Sequence, residues 1–178
     1  GSVRGSRAGE LIARCIVETG TSSYYSALAD AADEPVLKAI CHRIADDEFA
    51  HYDLFHSHLR RYLERDRLPP WRRLWIAFGR LHETDDDELA YAYHAANRDG
   101  QPYNRRSAAA AYGRTALGYY TPDVIECAIE MVFRAIGLKG ARSVTRAMGW
   151  LAWRLLRARL ALHWLIAKLS GALPQPVK

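Results

Sequence analysis

The chain has 178 residues, 49% of them apolar and 25% charged, which suffices for one domain with a real core and excludes two. Its three cysteines, Cys15, Cys41 and Cys127, sit inside apolar helical patterns without metal-binding spacing, so they exclude a cysteine-held metal and read as reduced core residues of a cytoplasmic protein. The net charge of +5 is uneven: residues 1–100 carry 13 Lys/Arg against 17 Asp/Glu and residues 101–178 carry 12 against 3, so the basic surplus belongs to the C-terminal part.

Residues 1–9 read as a Gly/Ser/Arg linker or cloning remnant, with neither the hydrophobic run nor the cleavage site of a secretory signal. A single helical domain is expected over residues 10–170. The first helix spans about Glu10 to Ala32, with Leu11, Cys15, Glu18, Tyr25 and Ala29 on one stripe. The second starts at Asp33-Glu34-Pro35, where proline suits the first turn, and continues to about Arg65. Its stripe is Leu37, Ile40, Cys41, Ile44, Glu48, His51, Phe55 and Leu59, at three- and four-residue steps that meet on one face. The short connection makes these two helices antiparallel neighbours. Leu68-Pro69-Pro70 ends the second helix. A third region follows from Trp71 to about Arg98, with a break near Glu83 to Asp87 and a stripe of Leu74, Phe78, Leu81, Glu88 and Ala95. Asp99 to Pro102 reads as a turn, and residues 103–117 as a short Ala- and Arg-rich helix. Thr121 is an N-cap before Pro122 for a helix running to Ile136, which Gly137 stops. A long amphipathic stretch runs from after Gly140 to Leu169, and residues 171–178 read as a flexible tail. No strand is predicted.

Glu48 and His51 form a Glu-x-x-His step between Ile44 and Phe55 on the stripe expected to face the interior, and Glu18 interrupts the stripe of the preceding helix. Ionised carboxylates are seldom buried without a partner. Carboxylates and an imidazole on the inner faces of adjacent helices are the arrangement of dinuclear sites in bundles, and these residue types suit two iron ions or manganese. A buried Glu–His–Arg polar network is the competing reading. A complete site of this kind takes one Glu from each of two helices and a Glu-x-x-His from each of two others. A second Glu-x-x-His is missing from this chain. Glu88 is the best third carboxylate, with His94 six residues further on, while Glu126 and Glu130 fall on the polar side of their helix, where Glu130 pairs with Arg134.

The stretch from Cys15 to Phe55, with V-E-T-G-T-S-S-Y-Y, D-E-P-V-L-K-A-I-C and I-A-D-D-E-F-A-H-Y, resembles the ferritin-like superfamily. More narrowly, it is similar to the second helical pair of the rubrerythrin-like and soluble acyl desaturase di-iron proteins. The family's carboxylate falls on Glu18, its Glu-x-x-His on Glu48 and His51, and a threonine loosely on Thr21. The resemblance covers about 40 residues and implies a ferritin-like bundle that lacks its first helix pair and carries additional C-terminal helices. It implies metal binding and, in a complete form, O2-dependent di-iron oxidoreductase activity on a lipid-like substrate, or iron handling or peroxide reduction. Three outcomes stay open for the site: completion in a homodimer, an irregular site using Glu88 or His94, or an empty polar core.

Residues 150–169 mix apolar side chains with Arg154, Arg157, Arg159 and Lys168, too many charges for a transmembrane span. With Trp150, Trp153 and Trp164 this is a basic amphipathic helix that either packs on the bundle or lies on an anionic membrane surface. No nucleic-acid reading motif is present. The alternative to a metalloprotein is therefore a non-enzymatic helical interaction or peripheral membrane-surface protein with a buried polar network.

Overall fold

Local capping signals set the helix boundaries. In a computed structural model that describes residues 4–82, 87–97 and 102–169, seven helices and no strand are found among the described residues. The chain is all-α, as expected. They are α1 (Arg7–Ala31), α2 (Pro35–Asp66), α3 (Pro70–His82), α4 (Asp87–Asn97), α5 (Arg105–Gly118), α6 (Pro122–Ile136) and α7 (Arg142–Leu169). The expected turn at Asp99–Gln101 and the expected tail at 171–178 lie outside the described residues.

Helix α1 starts earlier than its apolar pattern does, because Ser6 caps it by accepting a hydrogen bond from the Gly9 N–H at 3.0 Å. Ala8 and Gly9 are already buried, so part of the expected linker belongs to the domain. At the start of α2 the Glu34 carboxylate accepts from the N–H groups of Val36 and Leu37, which holds its pKa below the ordinary value. Helix α2 ends with Arg67 in the left-handed region at φ 46°, directly before Leu68-Pro69-Pro70. Thr121 caps α6 as expected. Gly137, at φ 76°, closes the other end of α6, with its N–H bonded to the Arg134 carbonyl and that of Leu138 to Phe133.

Helices α1 and α2 make the most extensive contact in the fold. Their antiparallel register is written in side-chain pairs: Arg7 lies over the Tyr62 ring at 5.8 Å and Arg14 over Phe55 at 5.6 Å. Buried positions along this pair are largely small, with Cys15, Thr19, Ser22, Ser23, Ala27 and Ala29 on α1 and Cys41 and Ala45 on α2. The buried hydroxyls bond within their own helix, Thr19 donating to the Cys15 carbonyl at 2.7 Å and Ser22 to that of Glu18 at 2.6 Å. Polar residues are thereby buried without an orphaned donor.

Helix α6 packs against this pair. The Tyr52 hydroxyl donates to the Met131 carbonyl at 2.5 Å, and Arg134 stacks over the Tyr52 ring while reaching Asp53 at 3.4 Å. Ile12, Tyr52, Leu59, Leu68, Ile76, Met131 and Ile136 form the main core. Helix α7 crosses α6 closely at Gly149, where a Cβ would stand 3.0 Å from the Glu126 Cα. Helices α4 and α5 pack chiefly on each other.

Four expectations about faces are corrected. The stripe Leu74, Phe78, Leu81 of α3 is exposed, and Ile76 and Ala77 on the other side are buried. Along α2 the buried line is Cys41, Ala45, Tyr52, Leu59, so Leu37 and Ile40 are exposed and Glu48 and His51 flank the core. Glu126 and Glu130 join a polar network with α7, where Thr145 donates to Glu130 at 3.1 Å and Arg146 lies 3.8 Å from Glu126, and Arg134 reaches Asp53 in place of the expected pairing with Glu130. Cys15 and Cys41 are buried, but Cys127 is exposed. The common reason is that periodicity groups residues on a face without saying whether another helix covers it.

Candidate metal site

Antiparallel packing of α1 on α2 brings Glu18 opposite Glu48, and the three-residue step within α2 puts His51 one turn further along the same side. One donor atom from each of the three residues lies within 4.8 Å of the other two. His51 Nδ1 is 3.3 Å from Glu48 Oε2. The histidine side chain is 57% exposed and that of Glu48 22% exposed, so the group sits at the open edge of the α1–α2 contact. This corrects the expectation of a deeply buried constellation.

Electrostatics within the group are those of two carboxyls competing for one proton. Burial pushes the Glu18 carboxyl up to about 7; hydrogen bonding to Glu48 and its negative charge add to this, while His51 and Arg14 pull the other way. Glu48 is held below its ordinary value, first by the hydrogen bond from Glu18, then by His51 and by the nearby Thr21 hydroxyl, against the opposing effect of burial. Glu18 therefore holds its proton to higher pH than an ordinary carboxyl, and Glu48 gives its proton up more readily. A cation bound between them would replace that proton and complete the charge balance.

Glu88 is not part of this group. It is exposed on α4, and α4 packs chiefly on α5. His94 is buried on α4 with its ring edge against Tyr103, centroids 5.3 Å apart. Of the four expected metal ligands, the fold therefore assembles Glu18, Glu48 and His51. Arg14 is a residue the sequence reading passed over. It stands one turn before Glu18, and that four-residue spacing was the available signal. The cavity of about 220 Å³ beside α1, α2 and α6 is lined by Ser23, Ser26, Phe49, Asp123, Val124 and Cys127, with none of the three donors among them.

Two oxygen donors and one nitrogen suit Fe(II), Mn(II) or Zn(II) rather than a soft monovalent ion, and three protein ligands leave positions open on any of these. Comparison with protein-family models, with curated proteins and with solved structures finds no match to this chain.

Proposed function

We propose that this protein binds a divalent first-row metal ion, iron or manganese, through Glu18, Glu48 and His51. The carrying observation is the convergence of three donor atoms from two helices within 4.8 Å of one another. The raised Glu18 carboxyl supports it, because carboxyls already brought together against their repulsion form part of a cation site in advance. In this reading Glu18 and Glu48 would supply the oxygen ligands and His51 the nitrogen ligand, Arg14 would limit the negative charge, and Thr21 would steady Glu48. A pair of such ions, if bound, would supply O2-dependent oxidation or peroxide reduction. This oxidoreductase reading, and the ferritin-like relationship, rest on the resemblance of residues 15–55.

The test is metal content and titration with Fe(II), kept anaerobic, or Mn(II), on the parent chain and on Glu48→Ala and His51→Ala. Expected are uptake by the parent, a metal-dependent rise in Tm, and loss of both in the variants. Equal metal uptake by all three proteins would sink the proposal.

A second reading, interaction with a membrane surface or a partner helix, is favoured by the apolar faces of α3 and α7. Trp71 and Trp75 are 69% and 72% exposed on α3, and Trp150, Leu151 and Leu155 are exposed on α7 beside Arg154 and Arg157. No helix among the described residues is long and apolar enough to cross a membrane, so such contact would lie along the surface. Low-salt binding to anionic vesicles, lost on Arg154→Glu with Arg157→Glu, tests it.

A further inference from the structure

We infer that the N-terminal end of α3 is a docking surface for an anionic phospholipid bilayer. The inference rests on the membrane version of the second reading above, assigns that contact to α3 rather than α7, and is independent of the metal site.

Helix α3 presents its apolar face outward. Trp71, Leu74, Trp75, Phe78 and Leu81 recur at three- and four-residue steps along one face, and all five are exposed. Trp75 and Trp71 are the two most exposed large apolar side chains among the described residues. The opposite face is the packed one. Ile76 and Ala77 belong to the core, and a Cβ on Gly9 of α1 would stand 3.2 Å from the Ile76 Cδ1. Arg73 turns inward, donating to the Leu68 carbonyl at 2.7 Å and to the Ile136 carbonyl at 3.4 Å. These contacts with α1 and with the end of α6 fix the roll of the helix, so the aromatic stripe stays outside. A contiguous apolar stripe held open in this way marks a contact surface.

Charge decides what the surface meets. The start of α1, the end of α2 and the start of α3 converge at one pole of the fold. There the Asp66 carboxylate accepts from the Ala8 N–H at 3.1 Å, and a Cβ on Gly5 would stand 2.7 Å from the Arg72 guanidinium. Arg65, Arg67 and Arg72 are exposed at this pole, next to Trp71 in the chain, while Asp66 is engaged by the first turn of α1. From Arg67 to His82 there are four arginines and neither Asp nor Glu. The acidic residues Glu83, Asp85, Asp86, Asp87 and Glu88 follow α3 in the sequence, and Leu81 lies about 15 Å along the helix from Trp71. Repulsion from an anionic surface is thereby confined to the far end. Trp71, Leu74 and Trp75 enter the interface, and Phe78 and Leu81 lift away from it.

A bilayer fits this surface better than a protein partner does. The face is a single convex helix, which a plane can meet without a matching groove. Indole rings favour the level of the headgroups, where lipid phosphates are within reach of the arginines beside them.

Co-sedimentation of the intact chain with phosphatidylcholine vesicles, with and without phosphatidylserine, tests this, together with tryptophan quenching by bromine-labelled lipid. Binding is expected to the phosphatidylserine vesicles, roughly tenfold or more tighter than to phosphatidylcholine alone, and to weaken with salt. Trp71→Ala with Trp75→Ala, and separately Arg65→Glu with Arg72→Glu, should each weaken it by roughly tenfold or more, with folding checked by circular dichroism. Trp71→Phe with Trp75→Phe should still bind and should lose most of the quenching. Arg154→Glu with Arg157→Glu, the change that abolishes contact through α7, should leave binding intact. Loss of binding in that α7 variant, with both α3 variants binding like the parent, would overturn the assignment to α3 and leave the membrane reading standing through α7. Absence of binding to either vesicle would overturn both. Equal binding to the two vesicle compositions would overturn the inference, because charge would then play no part.

Discussion

Glu18 on α1 stands opposite Glu48 on α2 with their donor atoms within 4.8 Å; burial and this nearness raise the pKa of Glu18, and the nearness lowers that of Glu48. The pair couples the packing of the two longest-contacting helices to the ionisation of the site. That coupling has a sign. The folded chain keeps the Glu18 proton up to about pH 7, whereas an ordinary carboxyl releases it near 4.5. The metal-free protein therefore enjoys the full contribution of this group below pH 4.5 and loses it as pH rises through 7. Glu48 shifts the opposite way, and its contribution is lost only on further acidification. Urea unfolding of the metal-free chain should show stability falling from pH 5 to pH 8, and Glu18→Gln should flatten that slope. An unchanged slope in Glu18→Gln would refute the raised titration of Glu18.

Tyr52 ties α2 to α6 through the hydrogen bond that its buried hydroxyl donates to the Met131 carbonyl. Tyr52→Phe preserves the ring and removes the donor, so it should lower unfolding free energy by about 1 kcal/mol with no change in m-value. Denaturant titration measures both. A neutral result would mean that the bond contributes nothing net.

Two glycines should respond in opposite directions. At Gly149 any side chain meets the Glu126 backbone, so Gly149→Leu should cost about 1–3 kcal/mol by forcing α6 and α7 apart. Gly20 lies inside α1 with nothing within 4 Å of an added Cβ, so Gly20→Ala should stabilise by about 0.4–1 kcal/mol. Thermal unfolding of the two variants side by side checks the sign of each.

The thiols differ in access. Cys127 is exposed, while Cys15 and Cys41 are buried and burial pushes the Cys15 thiol up to about 12. A thiol-specific reagent should modify Cys127 in the native chain and reach Cys15 and Cys41 only after unfolding. Native modification of all three would contradict the packing of α1 on α2.

Much of this was legible in the residues. Pro35, Thr121-Pro122 and Gly137 marked helix ends because their backbone preferences are local and survive any tertiary context. Glu18, Glu48 and His51 were found from spacing, because helix geometry fixes which side chains share a face. The depth of those faces was not legible. Leu74, Phe78 and Leu81 obey the same periodicity as a buried stripe and are exposed, because burial depends on where other helices lie. Glu130 looked like a partner for Arg134 by spacing, yet Thr145, fifteen residues away, takes it. Glu88 shared a stripe with its neighbours, but α4 carries it off to α5.

The small residues along the α1–α2 contact have a consequence for chemistry. Cys15, Ser22, Cys41 and Ala45 are buried and small, so the approach of α1 to α2, and with it the separation of Glu18 from Glu48, is set by side chains of little bulk. In the proposed metal site, ion selectivity would then depend on residues that never touch the ion. Widening Cys41 to leucine would act as a spacer and retune the site toward larger cations, leaving every ligand in place.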